Sequence, residues 1–213
     1  MSGITAIESA AKKKTYKPSE QERPDVVVQR VKFRERAAHW MVSKLKFLDE
    51  TGSQLNMTRL YGRAIPGERV VEAIPSDYGS NYTLIAALSL EGLQAPWVLE
   101  GALNGEIFKL YVGEVLAPTL KPGDILVMDN LSTHKVAGIA ELVEARGARL
   151  EYLSPYSPDY NPIERCWSKI KTYLRRAKAR TYAALVRAIK KALATIQESD
   201  MRAWFIFCGY SIR

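Results

Sequence analysis

The sequence predicts an α/β domain in which a mixed β-sheet is flanked by helices, and two observations lead there. Strand-like and helix-like stretches follow one another as β, β, β, α, β, α, β and then helices, an order that favours a mixed sheet over a bundle or a sandwich. The run Ile125 to Asn130 (ILVMDN) is almost continuously apolar, as expected of a strand covered on both faces. With 213 residues, 47% of them hydrophobic, the chain can bury one sizeable core. The expected organisation is a polar linker or arm over 1–24 and a single domain over 25–213.

The arm carries Lys12-Lys13-Lys14 and prolines at 18 and 24. Val28, Val31, Ala38, Trp40 and Met41 are compatible with a helix leading into the domain. Residues 44–50 read as a short strand with Leu45, Phe47 and Asp49 on one face, stopped by Thr51-Gly52. Strands over 81–90 and 95–99, separated by Glu91-Gly92, complete an antiparallel meander, with an extra short strand over 70–74. Ile107, Leu110, Tyr111, Val115 and Leu116 have helical spacing. In the next strand Ile125, Val127 and Asp129 share a face. A helix over 133–146 halted by Gly147 and a short strand over 149–153 follow. The last pattern is a helical stripe of Ile163, Cys166, Trp167, Ile170, Tyr173, Leu174 and Ala177.

The charge is unevenly placed. The net charge is +8, yet residues 161–191 hold ten Lys or Arg against one acid, Glu164. An unbroken basic segment of this kind suits a phosphate backbone, with a solvated helix face as the plainer alternative. The two cysteines, Cys166 and Cys208, lack the paired Cys/His partners of a structural zinc site and suggest a reducing, cytosolic setting. No apolar run reaches the roughly 18 residues needed to cross a bilayer, so no membrane partner is expected.

Two carboxylates, Asp49 and Asp129, fall at the ends of apolar strands, where open α/β sheets bind ligands. Either one alone is as easily strand-end punctuation. Glu164 lies in SPYSPDYNPIE (154–164), where Asn161 suits an N-cap, Pro162 the first helical position and Glu164 the third, as in a capping box. A first-turn carboxylate held on a rigid helix is also a fitting ligand for a hard cation. Asp159 reads as a turn residue, and Trp167 and Trp204 as core.

FLDETG (47–52), MTRLYGRA (57–64), VMDNLSTHK (127–135) and SPYSPDYNPIE, in that order, resemble the catalytic domain of bacterial insertion-sequence transposases in the mariner-like branch of the DDE superfamily. The 34 residues between Asp129 and Glu164 match that family's second-to-third carboxylate spacing. The resemblance runs over about 12–213 and includes WFIFCGY (204–210). It implies a ribonuclease H-like fold and a triad of Asp49, Asp129 and Glu164. That triad would hold two divalent cations, magnesium or manganese, about 4 Å apart. It further implies hydrolysis of a phosphodiester at a transposon end and attack of the freed 3′-hydroxyl on target DNA, at a TA dinucleotide.

Auxiliary candidates are Glu50, on the opposite strand face from Asp49, with Asn130 and His134. His134 reads equally as a phosphate contact or as a structural hydrogen-bonder. Arg59, Arg63, Arg165, Lys169, Lys171, Arg175 and Arg176 are the DNA-backbone candidates; Arg63 and Arg69 serve equally well as partners of nearby acids. The expected partners are double-stranded DNA, an upstream helix-turn-helix chain and a second copy during synapsis, in a bacterial cytoplasm at the nucleoid. Full-length relatives carry an N-terminal helix-turn-helix region. Only about 24 residues precede the first helix here, so the chain resembles the catalytic part of a split or truncated transposase. A metal-dependent nuclease or integrase of the same fold, and a catalytically silent DNA-binding remnant, are the competing readings.

Overall fold

In the computed structural model, which describes residues 17–77 and 79–212, helix α1 (Pro24–Ala37) leads into strand β1 (Leu45–Gln54). Pro24 opens α1, Asp25 lies in its first turn, and Arg34 and Arg36 lie in its last, each end carrying the charge that complements the helix dipole. β2 (Asn81–Ser89) and β3 (Gly92–Glu100) continue the meander. Helix α2 (Gly105–Tyr111) is capped by Asn104, whose Oδ1 accepts the Ile107 N–H at 2.9 Å, and runs on as a π turn over Val112–Leu116. β4 (Ile125–Met128), α3 (Ile139–Glu144) and β5 (Arg149–Tyr152) follow, then α4 (Ile163–Ala177), α5 (Tyr182–Leu193) and α6 (Glu198–Phe207).

The strands form one sheet in the order β3-β2-β1-β4-β5, antiparallel on the β3-β2-β1 side and parallel from β1 through β4 to β5. Strand alternation sends Leu45, Phe47, Ile125 and Val127 to one core with α1, α4, α5 and α6, and Leu48, Leu126 and Met128 to a second core with α2 and α3. The β1–β4 pairing ends at Leu48↔Met128, so Asp49 and Asp129 lie side by side just past it; Asp129 follows the end of β4, but Asp49 does not end its strand as expected, since β1 continues to Gln54 paired with β2.

Several local expectations are corrected. Thr51-Gly52 does not end β1, because β2 pairs straight through it, Gly52 opposite Thr83. No strand forms over 70–74, where Val70 and Val71 are exposed and unpaired. The helix expected over 133–146 is a 3-10 turn at Ser132–His134 followed by the shorter α3, because Gly138 at φ 93° separates them. Leu110 is exposed while Phe108 is buried, and in α4 Ala177 is exposed. β3 bulges opposite Ala86, the β2 partner of Asp49; there Ala95 has φ 52° and its carbonyl accepts from the Tyr111 hydroxyl at 2.9 Å. Lys12-Lys13-Lys14 lies outside the described residues. Among those described, no helix is long and apolar enough to cross a membrane.

A buried ion pair stands at the foot of the parallel pairing. Lys46 on β1 meets Asp124, just before β4, at 3.3 Å, with side chains 4% and 3% exposed. Lys46 also donates to the Thr119 carbonyl at 3.1 Å and to Gln94, and Asp124 accepts the Lys121 N–H at 2.8 Å. Removing one partner leaves a charge without compensation in the core. Asp124→Ala is therefore expected to lower unfolding stability by about 3–5 kcal/mol, measured as a shifted urea midpoint at unchanged slope.

Candidate active site

The groove at the C-terminal edge of β1 and β4, about 410 Å³, is lined by Asp49, Asp129, Asn130, the 153–158 segment, Asn161 and Glu164. All three carboxylates predicted from sequence border it. Asp49 is buried, 8% exposed, under the start of α4. Its Oδ1 accepts the Glu50 N–H at 2.8 Å, and its Oδ2 accepts from Trp167 Nε1 at 3.3 Å and Asn161 Nδ2 at 3.4 Å. Burial pushes the Asp49 carboxyl well above the usual carboxylate range; Glu164, Glu50 and Asp129 add repulsion, and the Glu50 N–H opposes it. Glu164 is also raised, by burial first and by Asp129 and Glu50, against the lowering influence of Lys171. Its side chain opens to solvent, so water moderates this effect far more than at Asp49.

Asp129 is held differently. Its Oδ1 accepts the Leu131 N–H at 3.0 Å and a short 2.6 Å hydrogen bond from His134 Nδ1, while His134 Nε2 donates to Glu50 at 3.1 Å. The imidazole is fully buried against Phe108, with ring centroids 4.5 Å apart. Burial alone would lower its pKa, but the hydrogen bonds to Asp129 and Glu50 prevail and raise it to about 9. Of the two readings of His134, the structure supports the structural hydrogen-bonder, since an imidazole with both nitrogens engaged and no exposure touches no phosphate. Glu50 does lie on the face opposite Asp49, and His134 ties it to the second carboxylate.

The expected capping box at α4 is absent. Asn161 gives its main-chain carbonyl to the Glu164 N–H at 3.2 Å, but its side chain turns to Asp49. The start of α4 is instead held by α1. Arg30 donates to both Asp159 oxygens at 3.0 and 2.7 Å and to Ser157 Oγ at 2.7 Å, and its guanidinium lies 4.3 Å from the Tyr160 ring centroid. Phe33 stacks on the same ring at 5.7 Å, and the Tyr210 hydroxyl donates to the Tyr160 carbonyl at 2.8 Å. Asp159, read from sequence as a plain turn residue, is thus an anchor. Trp167 was expected to be core only; the available signal was that a buried indole N–H needs an acceptor.

Two edges divide the basic residues of α4. Lys171 and Arg175 follow Glu164 by two and three helical turns and share its edge. Arg165, Lys169 and Arg176 line a separate groove on the side of α6, where Lys169 pairs with Asp200 and the Arg165 guanidinium lies 3.5 Å from the Phe207 ring centroid. Arg59 and Arg63 are exposed in the long connection between β1 and β2. That connection is tied to the end of α4 by Lys178–Glu72 and by Arg180, which donates to the Leu55 and Met57 carbonyls at 2.7 and 2.9 Å.

Two acids side by side where a parallel strand pairing stops, joined by a glutamate on the first turn of a following helix, form the pattern that the family comparison meets. The family model for DDE superfamily endonucleases matches residues 44–186. This chain belongs to that family. The matched span is narrower than the 12–213 expected from sequence and contains all three carboxylates. No curated protein matches the chain.

Among solved structures, the fold resembles the Mos1 transposase paired-end complex with left transposon end, at TM-score 0.77 and 13% identity over 93% of this chain and 63% of that one. It likewise resembles the Mos1 mariner paired end complex with Mn, at TM-score 0.74 and 13% identity over 96% and 65%, and the catalytic domain of Mos1 mariner transposase, at 0.60 and 10% over 93% and 98%. The DDE chain therefore has the ribonuclease H-like fold of that catalytic domain, and it spans about 63% of the longer Mos1 chain.

If α1 fixes where α4 starts, Arg30→Ala should loosen that start. The expected cost is about 1 kcal/mol, because Asp159 is partly solvated. Hydrogen exchange should quicken at the amides of 160, 161 and 163–165 while the β4 amides stay protected.

Proposed function

We propose that the chain is the catalytic domain of a DNA transposase, with Asp49, Asp129 and Glu164 as ligands for two divalent cations, magnesium or manganese. The observation that carries this reading is that Asp49, Asp129 and Glu164 border one groove, and that Glu164, Glu50 and Asp129 are all close enough to raise the buried Asp49 carboxyl. Such crowding is unfavourable without positive charge, and oxygen-only donors suit hard cations. Among the described residues no three His, Cys, Asp or Glu side chains converge tightly enough to ligate an ion as they stand. Hydrogen bonds hold Asp49 toward α4 and Asp129 toward His134. The donor chemistry fits, because the three carboxylates that border the groove, Asp49, Asp129 and Glu164, offer oxygen donors alone.

When bound, the cations would activate the attacking oxygen and stabilise the leaving oxygen of an in-line phosphoryl displacement. The chain's own residues do the positioning. α4 presents Glu164 beside the groove, His134 and Trp167 restrain Asp129 and Asp49, and Lys171 and Arg175 lie where a phosphate backbone entering the groove would pass. The reaction proposed is hydrolysis at a transposon end followed by attack of the 3′-hydroxyl on target DNA. Support comes from the family and from the Mos1 complexes with a transposon end and with Mn. A helix-turn-helix chain supplying end recognition and a second copy for synapsis complete the proposal.

With end-bearing DNA, magnesium or manganese and the upstream chain supplied, cleavage and joining are expected. Alanine at Asp49, Asp129 or Glu164 should each reduce the rate by on the order of 1,000-fold, since Lewis-acid stabilisation is worth several kcal/mol. Equal rates in wild type and Asp129→Ala would sink the proposal. Lys171→Ala and Arg175→Ala should each weaken DNA binding irrespective of sequence and reduce the salt slope by about one, read by titration at several salt concentrations.

A further inference from the structure

Asn161 is 3% exposed and borders the carboxylate groove, yet half of its side chain is unused. Its Oδ1 has no hydrogen-bond partner; the only other such buried side-chain atom among the described residues is Ser53 Oγ, on the far part of β1. Leaving a buried amide oxygen unpaired is costly, and such a group in a folded protein calls for a reason. Capping does not supply it, because the bond from the Glu164 N–H goes to the main-chain carbonyl, which any residue provides. Packing does not supply it either, since an apolar side chain would fill the space without the orphaned oxygen.

What the side chain does is touch Asp49. Nδ2 and the Trp167 indole N–H both donate to Oδ2 of Asp49, at 3.4 and 3.3 Å, while the Glu50 N–H holds Oδ1 at 2.8 Å. Three donors, from β1, from α4 and from the turn that precedes α4, fix both oxygens of one carboxylate. The main-chain carbonyl of the same asparagine receives the N–H of Glu164. One residue therefore connects the first carboxylate to the third, through its side chain on one side and the helix start on the other.

We infer that Asn161 is a positioning residue which, together with Trp167, sets the orientation of Asp49 relative to Glu164 for cation binding. The unpaired Oδ1 is the cost of that orientation. The inference rests on the cation-binding reading above, and cation affinity tests the two separately. Outer partners that orient a ligand typically influence metal affinity by about 10- to 100-fold.

The test is titration of the whole chain with manganese alone, followed by calorimetry, with thermal unfolding recorded in its absence and presence. Asn161→Ala should weaken manganese binding by about 10-fold or more while leaving the metal-free melting temperature unchanged or higher. Trp167→Phe, which retains the packing and removes one donor, should weaken binding in the same direction and keeps the test open if Asn161→Ala fails to fold. In an Asp49→Ala background Asn161→Ala should have no further effect, because its target is gone. Wild-type affinity in both single variants, or an equal loss with Asp49 already removed, overturns the inference. A wild-type chain that takes up no manganese overturns the cation reading and this inference with it.

Discussion

The parallel register of β1 against β4 is the constraint from which the rest of the site follows. Because the last pair is Leu48↔Met128, the residue that follows on each side is an aspartate, and the two lie together where the parallel pairing stops. A shift of one residue would send Asp49 to the other face and break both cores, since strand alternation assigns every neighbour a side. Lys46 and Asp124 sit at the opposite end of that pairing and join the two strands where no water reaches them. A buried pair of this kind contributes little net stability over an apolar one, but losing a single partner leaves an uncompensated charge in the core.

The third carboxylate arrives by a different route. Glu164 belongs to no strand, so its place depends on where α4 begins and how α4 lies on the sheet. α1 determines the first through Arg30, Phe33 and the anchored Asp159–Tyr160 turn. The apolar stripe of α4 determines the second, and the Trp167 indole converts that packing into a direct hold on Asp49. The two sides of the sheet also treat the acids differently. On the α4 side Asp49 meets neutral donors; on the α2 side Glu50 and Asp129 share one buried imidazole. Opposing environments for like groups are how a protein keeps several carboxylates at one place without mutual expulsion.

Much of the architecture was legible in the sequence. Period-two alternation located β1, a β-rich run located β2, the apolar run marked β4 as the doubly covered strand, and the i, i+3, i+4 stripe gave α4. The errors were local and share a cause. Gly52, Val70–Ile74 and the stretch after Ser132 were judged by nearest-neighbour propensity. A facing strand carries β1 through Gly52, nothing faces Val70 and Val71, and Gly138 interrupts a helix that composition favoured.

The identities and spacing of Asp49, Asp129 and Glu164 are sequence properties, as is the basic character of the segment after Glu164. Strand ends and a proline-stiffened helix start are local features, and local features are written in neighbouring residues. The hydrogen-bond partners are not. That Asn161 turns from capping to Asp49, that His134 bridges Glu50 and Asp129, that Trp167 is a donor and that α4 has two basic edges all depend on residues distant in the chain brought into contact. Only the tertiary structure decided them, because a side chain's partner is set by what packs against it and not by what precedes it.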